Sequence, residues 1–107
     1  MITCHLKYII DPTQLNIFEE YGRRWISLVN RFGGKHHGYF MPSEGANNIA
    51  YAYFSFESLA AYEQYRNDIL ADTDCLAAFK LATNSKCIVS YERTFLRPVF
   101  EGLEGEN

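Results

Sequence analysis

Residues 48–56 read Asn48-Ile49-Ala50-Tyr51-Ala52-Tyr53-Phe54-Ser55-Phe56. Successive side chains of a strand point to opposite faces. Ile49, Tyr51 and Tyr53 therefore share one face, and Ala50, Ala52, Phe54 and Phe56 share the other. Both faces are apolar or aromatic. An antiparallel sheet with helices on one side only normally turns a polar face to water. This strand instead predicts a sheet packed on both sides, by its own helices on one and by a second copy of the same sheet on the other. The expected assembly is a homodimer. The alternative is an exposed tyrosine-rich face that meets water through its hydroxyls.

The neighbouring segments complete the sheet. Residues 36–42 read as a strand stopped by Pro42. The turn Ser43-Glu44-Gly45-Ala46-Asn47 joins it to residues 48–56, closely enough for an antiparallel hairpin. Residues 2–10 read as a first strand, with Ile2, Cys4, Leu6, Tyr8 and Ile10 on one face at period two. Residues 86–97 read as a fourth strand closed by Pro98, with Cys87, Val89, Tyr91 and Phe95 opposite Ile88 and Leu96.

Helical spacing fills the gaps. Asp11 can cap a helix that has Pro12 in its first turn and Gln14 in a capping box. Leu15, Phe18, Tyr21, Trp25, Leu28 and Phe32 recur along its apolar stripe, and Gly33-Gly34 ends it. A second helix is predicted over 57–71, with Leu59, Tyr62, Ile69 and Leu70 inward. Asp72-Thr73-Asp74 interrupts it and can cap a third, over 74–83, with Leu76, Phe79 and Ala82 apolar. The order β-α-β-β-α-α-β is the ferredoxin-like α+β pattern, a four-stranded antiparallel sheet. Residues 1–100 form the one expected domain, and the acidic tail 101–107 is expected to fray.

Composition narrows the function classes. The chain has 107 residues, 48% hydrophobic and 16% aromatic, which excludes a disordered chain. No apolar run reaches the roughly 18 residues of a membrane span. Ten basic and thirteen acidic residues give a net charge of -3. Glu101, Glu104 and Glu106 account for the surplus. Without a basic stripe, no nucleic-acid partner is expected. Cys4, Cys75 and Cys87 form no CxxC pair and read as buried free thiols. With no leader-like N-terminus, they point to the cytoplasm.

Few residues carry chemistry. His36 and His37 are the catalytic candidates, because imidazole titrates near neutrality and both lie beside Gly33, Gly34 and Gly38. Strand alternation keeps them out of one site unless a bulge intervenes. No HxH, HExxH or i,i+4 histidine pair is present, so neither a metal nor a cofactor is expected. Trp25, on the helical stripe, can roof a cavity between helix and sheet. Tyr39, Tyr51, Tyr53 and Phe54 can line one. Core and interface packing explain the same aromatics equally well.

The stretch Gly38-Tyr39-Phe40, Gly45 and Tyr51-Ala52-Tyr53-Phe54-Ser55-Phe56-Glu57-Ser58-Leu59 resembles the NIPSNAP family of the dimeric α/β-barrel superfamily. Phe54 stands where the family often has Trp, and Phe56 where it often has Tyr. Arg66 falls near a recurrent helix arginine. Ala71-Asp72-Thr73-Asp74-Cys75-Leu76-Ala77-Ala78-Phe79 resembles the family's break between helices, without its Trp and Pro. The resemblance implies a ferredoxin-like protomer whose sheet pairs with a second sheet in a barrel. It carries no catalytic set, since the family has no settled activity.

Three readings follow. The first is binding, or cofactor-free conversion, of a small apolar or aromatic molecule in a helix–sheet cavity, with His36 or His37 as base or anchor. The second is a non-catalytic dimeric binding or scaffold module. The third is haem handling through one histidine, for which no axial-ligand pattern is present.

Overall fold

The computed structural model describes residues 1–100, and the acidic tail 101–107 lies outside the described residues. Strand β1 (Ile2–Ile10) leads through a 3-10 turn (Pro12–Gln14) into α1 (Leu15–Arg31). Strands β2 (Lys35–Phe40) and β3 (Ile49–Phe56) form the hairpin. Helices α2 (Leu59–Ile69) and α3 (Thr73–Ser85) then return the chain to β4 (Ile88–Leu96). The sheet order is β2-β3-β1-β4 with every pair antiparallel. This is the ferredoxin-like α+β fold.

Local chemistry sets the element ends. Asp11 accepts from Thr13 N at 2.9 Å and so caps the turn before α1. Gln14 does not close the expected capping box alone, since its amide also donates to Ser85 O at 2.6 Å, tying this turn to the end of α3. Ser58 caps α2 by accepting from Ala61 N at 3.1 Å. Asp72 caps α3 by accepting from Cys75 N at 2.9 Å.

All three helices lie on one face of the sheet. Cys4, Leu6, Tyr8 and Ile10 of β1, with Ala50, Ala52, Phe54 and Phe56 of β3, form its buried floor. Phe18, Trp25, Leu28 and Val29 of α1 pack down on it. The two alanines make room for this helix. At Gly22 the approach is tight: an added Cβ would sit 2.9 Å from Tyr39 Cγ.

The structure corrects the inward set on α2 and the alternation on β4, and it shows which side of α3 is buried. On α2, Leu59 and Leu70 are exposed, and Tyr62, Tyr65 and Ile69 face in. On α3, Cys75 and Ala78 are buried while Leu76 and Phe79 are partly exposed, because α3 packs along α1 rather than on the sheet. On β4 a bulge opposite Ile9/Ile10 breaks the alternation. It pairs Ile88 with Ile10 and Tyr91 with Tyr8, so both lie over the helix face and Val89 stands outside, exposed.

The outer face carries His5, Lys7 and Ile9 of β1 and Ile49, Tyr51, Tyr53 and Ser55 of β3. His5 stacks on Tyr51 and packs against Tyr53, with ring centroids 5.6 and 5.0 Å away. Residues beyond β4 approach this face, and Phe100 comes within 6.3 Å of the His37 ring. Among the described residues, no helix is long and apolar enough to cross a membrane.

Candidate functional site

A cavity of about 120 Å³ lies between the helices and the sheet. Its floor is Leu6 and Tyr8 of β1, Phe54 of β3, and His36 and Tyr39 of β2. Trp25, Tyr65 and Phe79, one from each helix, roof it, and Arg66 and Arg93 join the wall. A wider hollow of about 310 Å³ between α3 and β4 shares Tyr8, Tyr21, Phe79, Tyr91 and Arg93 with it. Tyr91 and Phe79 are 53% and 37% exposed, so the aromatic lining reaches the surface on this side.

The floor owes its composition to a β-bulge in β2. His36 pairs with Phe54, but Gly38 already pairs with Tyr53, leaving His37 as the extra residue. Strict alternation would put His37 beside Tyr39 on the cavity face. The bulge puts His36 there instead, its ring stacked on Tyr39 at 5.0 Å and 12°. Gly38 takes φ of +112°, which a side chain would resist. Its amide then donates to His36 Nδ1 at 2.9 Å.

That bond fixes the chemistry of the ring. Nδ1 accepts, so in neutral His36 the proton sits on Nε2. Burial, aided by the neighbouring His37, pulls the His36 pKa down from 6.5 to about 4. The ring is therefore neutral at physiological pH and offers an N–H, not a base, at Nε2. His36 Nε2 is buried without a hydrogen-bond partner among the described residues, and Trp25 Nε1 shares that state. An unpaired buried donor costs about 1–3 kcal/mol.

The other polar groups are equally unreactive as bases. Burial raises the Tyr21 phenol to about 12 and those of Tyr8, Tyr39 and Tyr65 well above their ordinary value. Burial also pushes the thiols of Cys4 and Cys75 up, to about 11 and about 12. Among the described residues, no carboxylate lines the cavity. The arrangement can hold a ring and hydrogen-bond an acceptor on it.

His36, Trp25, Tyr39 and Phe54 thus come together. His37, Tyr51 and Tyr53 do not join them. His37 is exposed on the other side of the sheet and meets Ser55 Oγ at 2.7 Å, with Ser55 Oγ in turn 2.7 Å from Thr3 Oγ1. Tyr51 and Tyr53 stand on that same outer face. Tyr8, Tyr65, Arg66 and Arg93 take their place in the cavity. Tyr8 was visible as the one tyrosine on the inward period of β1. Arg93 follows from the alternation Tyr91, Arg93, Phe95, which puts a guanidinium on the helix side.

The NIPSNAP family profile matches residues 6–100. The chain belongs to the NIPSNAP family. Solved structures agree on the fold. The Agrobacterium tumefaciens protein Atu4242 superposes with a TM-score of 0.80 at 19% identity, covering 92% of this chain and 94% of that one. A NIPSNAP family protein from A. tumefaciens C58, Atu5224, gives 0.76 at 21% identity, covering 92% of each. A candidate antibiotic biosynthesis monooxygenase from Nitrosomonas europaea gives 0.71 at 8% identity, covering 94% of this chain and all of that one (100%). No curated protein matches the chain in sequence. Atu4242 is described as a NIPSNAP family protein with unknown function, and a NIPSNAP domain protein of Burkholderia xenovorans as uncharacterized. These NIPSNAP relatives share a fold with this chain and bring no activity with them.

Proposed function

We propose that this NIPSNAP chain binds a small aromatic or apolar molecule in the cavity between its helices and sheet. His36 Nε2–H and Trp25 Nε1–H donate to an acceptor on that molecule. The observation that carries the reading is the His36 ring, held in one tautomer by Gly38, with its remaining N–H buried, unpartnered and on the cavity wall. A donor kept dry and unpaired in a purely structural core would be replaced at no loss by an apolar side chain. The volume is close to the roughly 150 Å³ that accepts benzene in an engineered apolar cavity, so the enclosed part of the ligand is about one ring.

The reading favours an anchoring role for His36 over a catalytic base, since its free nitrogen already carries the proton. The functional unit is proposed to be a homodimer. Ile9, Ile49, Tyr51 and Tyr53 leave the outer face half-buried and largely aromatic, a surface suited to a second copy. The three cysteines are free, which supports a reducing, cytoplasmic setting.

Native mass spectrometry of freshly purified protein, followed by thermal melts with single-ring compounds, tests the binding reading. The expected result is a co-purifying mass, or a saturable rise in Tm that Trp25→Phe and His36→Asn each weaken. A bare chain that no ring compound stabilises, with Trp25→Phe more stable than wild type, would overturn it in favour of a non-binding scaffold.

A further inference from the structure

We infer that the ligand is an anion, a single-ring carboxylate whose negative group lies at the Arg66–Arg93 side of the cavity. The inference rests on the binding reading above and adds the charge of the ligand to it.

The argument begins with where the arginines find partners. Arg23, Arg24 and Arg31 of α1 each pair with a carboxylate, of Glu19, Glu20, and Asp72 with Asp74 respectively. Arg66 and Arg93 line the cavity and have no carboxylate partner among the described residues. Aromatic side chains hold them instead. Arg66 Nη1 donates to Tyr62 Oη at 2.9 Å, and the Arg93 guanidinium lies 5.4 Å from the Tyr91 ring centroid. Glu92, next to Arg93 in sequence, pairs with Lys7 in register and so points to the outer face.

The two guanidiniums come from different elements and converge. Arg93 stands opposite Leu6 on β4, and Arg66 is one turn beyond Tyr62 on α2. Both lie near enough to Cys4 to favour its thiolate, against the larger opposing effect of burial. Among the described residues, the cavity lining carries no carboxylate to compensate them. Both arginines are solvent-exposed at the mouth of the hollow, where two neighbouring cations attract an anion through a field that salt screens. Arginine is also the side chain whose planar fork matches a carboxylate.

Size and donors complete the class. About one ring fits the enclosed volume. A carboxylate on that ring serves the arginines. A second oxygen, such as a ring hydroxyl, can accept from His36 Nε2–H or Trp25 Nε1–H. Hydroxybenzoate-type acids have this pattern.

Isothermal titration of the full chain with 4-hydroxybenzoate, benzoate, 4-hydroxybenzamide and phenol tests the proposal. The acids are expected to bind at least about tenfold more tightly than the amide and phenol, with an affinity that falls as salt is raised. Arg93→Gln and Arg66→Gln should each bring 4-hydroxybenzoate toward the affinity of the amide, while Arg93→Lys retains part of the preference. Melts without ligand confirm that the variants are folded. Saturable binding of phenol and amide with no preference for the acids, or acid binding unchanged in the Arg66→Gln/Arg93→Gln double variant, would overturn the anion and leave the cavity reading standing. Binding of none of the four would overturn both.

Discussion

The protonation of His36 can be measured directly and carries the chemistry of the cavity. In the unfolded chain its imidazole titrates near 6.5, and in the folded protein at about 4. Between those values the unfolded state holds a proton that the folded state refuses, so stability falls with falling pH. The contribution is fully present above 6.5 and disappears as pH drops toward 4. The ceiling on it is about 3 kcal/mol. Part of the ring reaches solvent, and screening brings the expected figure to about 1–2 kcal/mol. Asp11 and Asp72, held below the usual carboxylate value by hydrogen bonds from Thr13 and Cys75, also lose stability on acidification. The difference between wild type and His36→Asn isolates the histidine, because asparagine can still accept from Gly38 N and does not titrate. Urea unfolding near pH 7 and near pH 4.5 reads it out. Wild type is expected to lose about 1–2 kcal/mol more than the variant over this interval. Nitrogen-15 shifts of the ring should report the Nε2–H tautomer throughout. Equal losses in the two proteins, or a His36 that titrates near 6.5, would refute the buried neutral donor on which the site depends.

Three further predictions concern how the cavity is framed. Gly22→Ala would ordinarily stabilise a helix by about 1 kcal/mol, but its Cβ would lie 2.9 Å from Tyr39 Cγ. Overpacking of about 1–3 kcal/mol offsets the gain, and thermal melts should show a neutral or lowered Tm with weakened ring binding. Gly34→Ala meets Phe56 Cζ at 2.6 Å and Val29 Cγ1 at 2.7 Å, so its melt should fall further than that of Gly22→Ala. Ser58→Ala removes the N-cap of the helix that presents Tyr65 and Arg66. Chemical denaturation should show a loss of about 1 kcal/mol, with hydrogen exchange rising first at the start of α2.

Much of the fold was legible because its signals are local. The inward set on β1 follows from period two, the hairpin from Pro42 and Gly45, and the starts of the first and third helices from Asp11 and Asp72. The inward face of α2 was misjudged because Leu59 and Leu70 are the more hydrophobic residues. The spacing of Tyr62, Tyr65 and Ile69 at i, i+3 and i+7 was the better guide. The site was harder to read. Trp25, Tyr39 and Phe54 lie where their helical and strand periods put them. Choosing His36 over His37 needed knowledge of a one-residue bulge, for which the only local sign is Gly38. Arg66 and Arg93 come together through tertiary packing, which no spacing along the chain records.

The bulge at His37 has a consequence for comparing family members. Alternation along a strand is a matter of odd and even, and one extra residue exchanges the two. A relative lacking the extra residue would present its cavity side chain one position later in an ungapped alignment. Matching letters on either side of the bulge would then equate an inward residue with an outward one. At identities near 20%, an ungapped alignment cannot reveal the slip. Whether two relatives share a ligand is therefore decided by the phase of β2 as much as by the presence of a histidine in it.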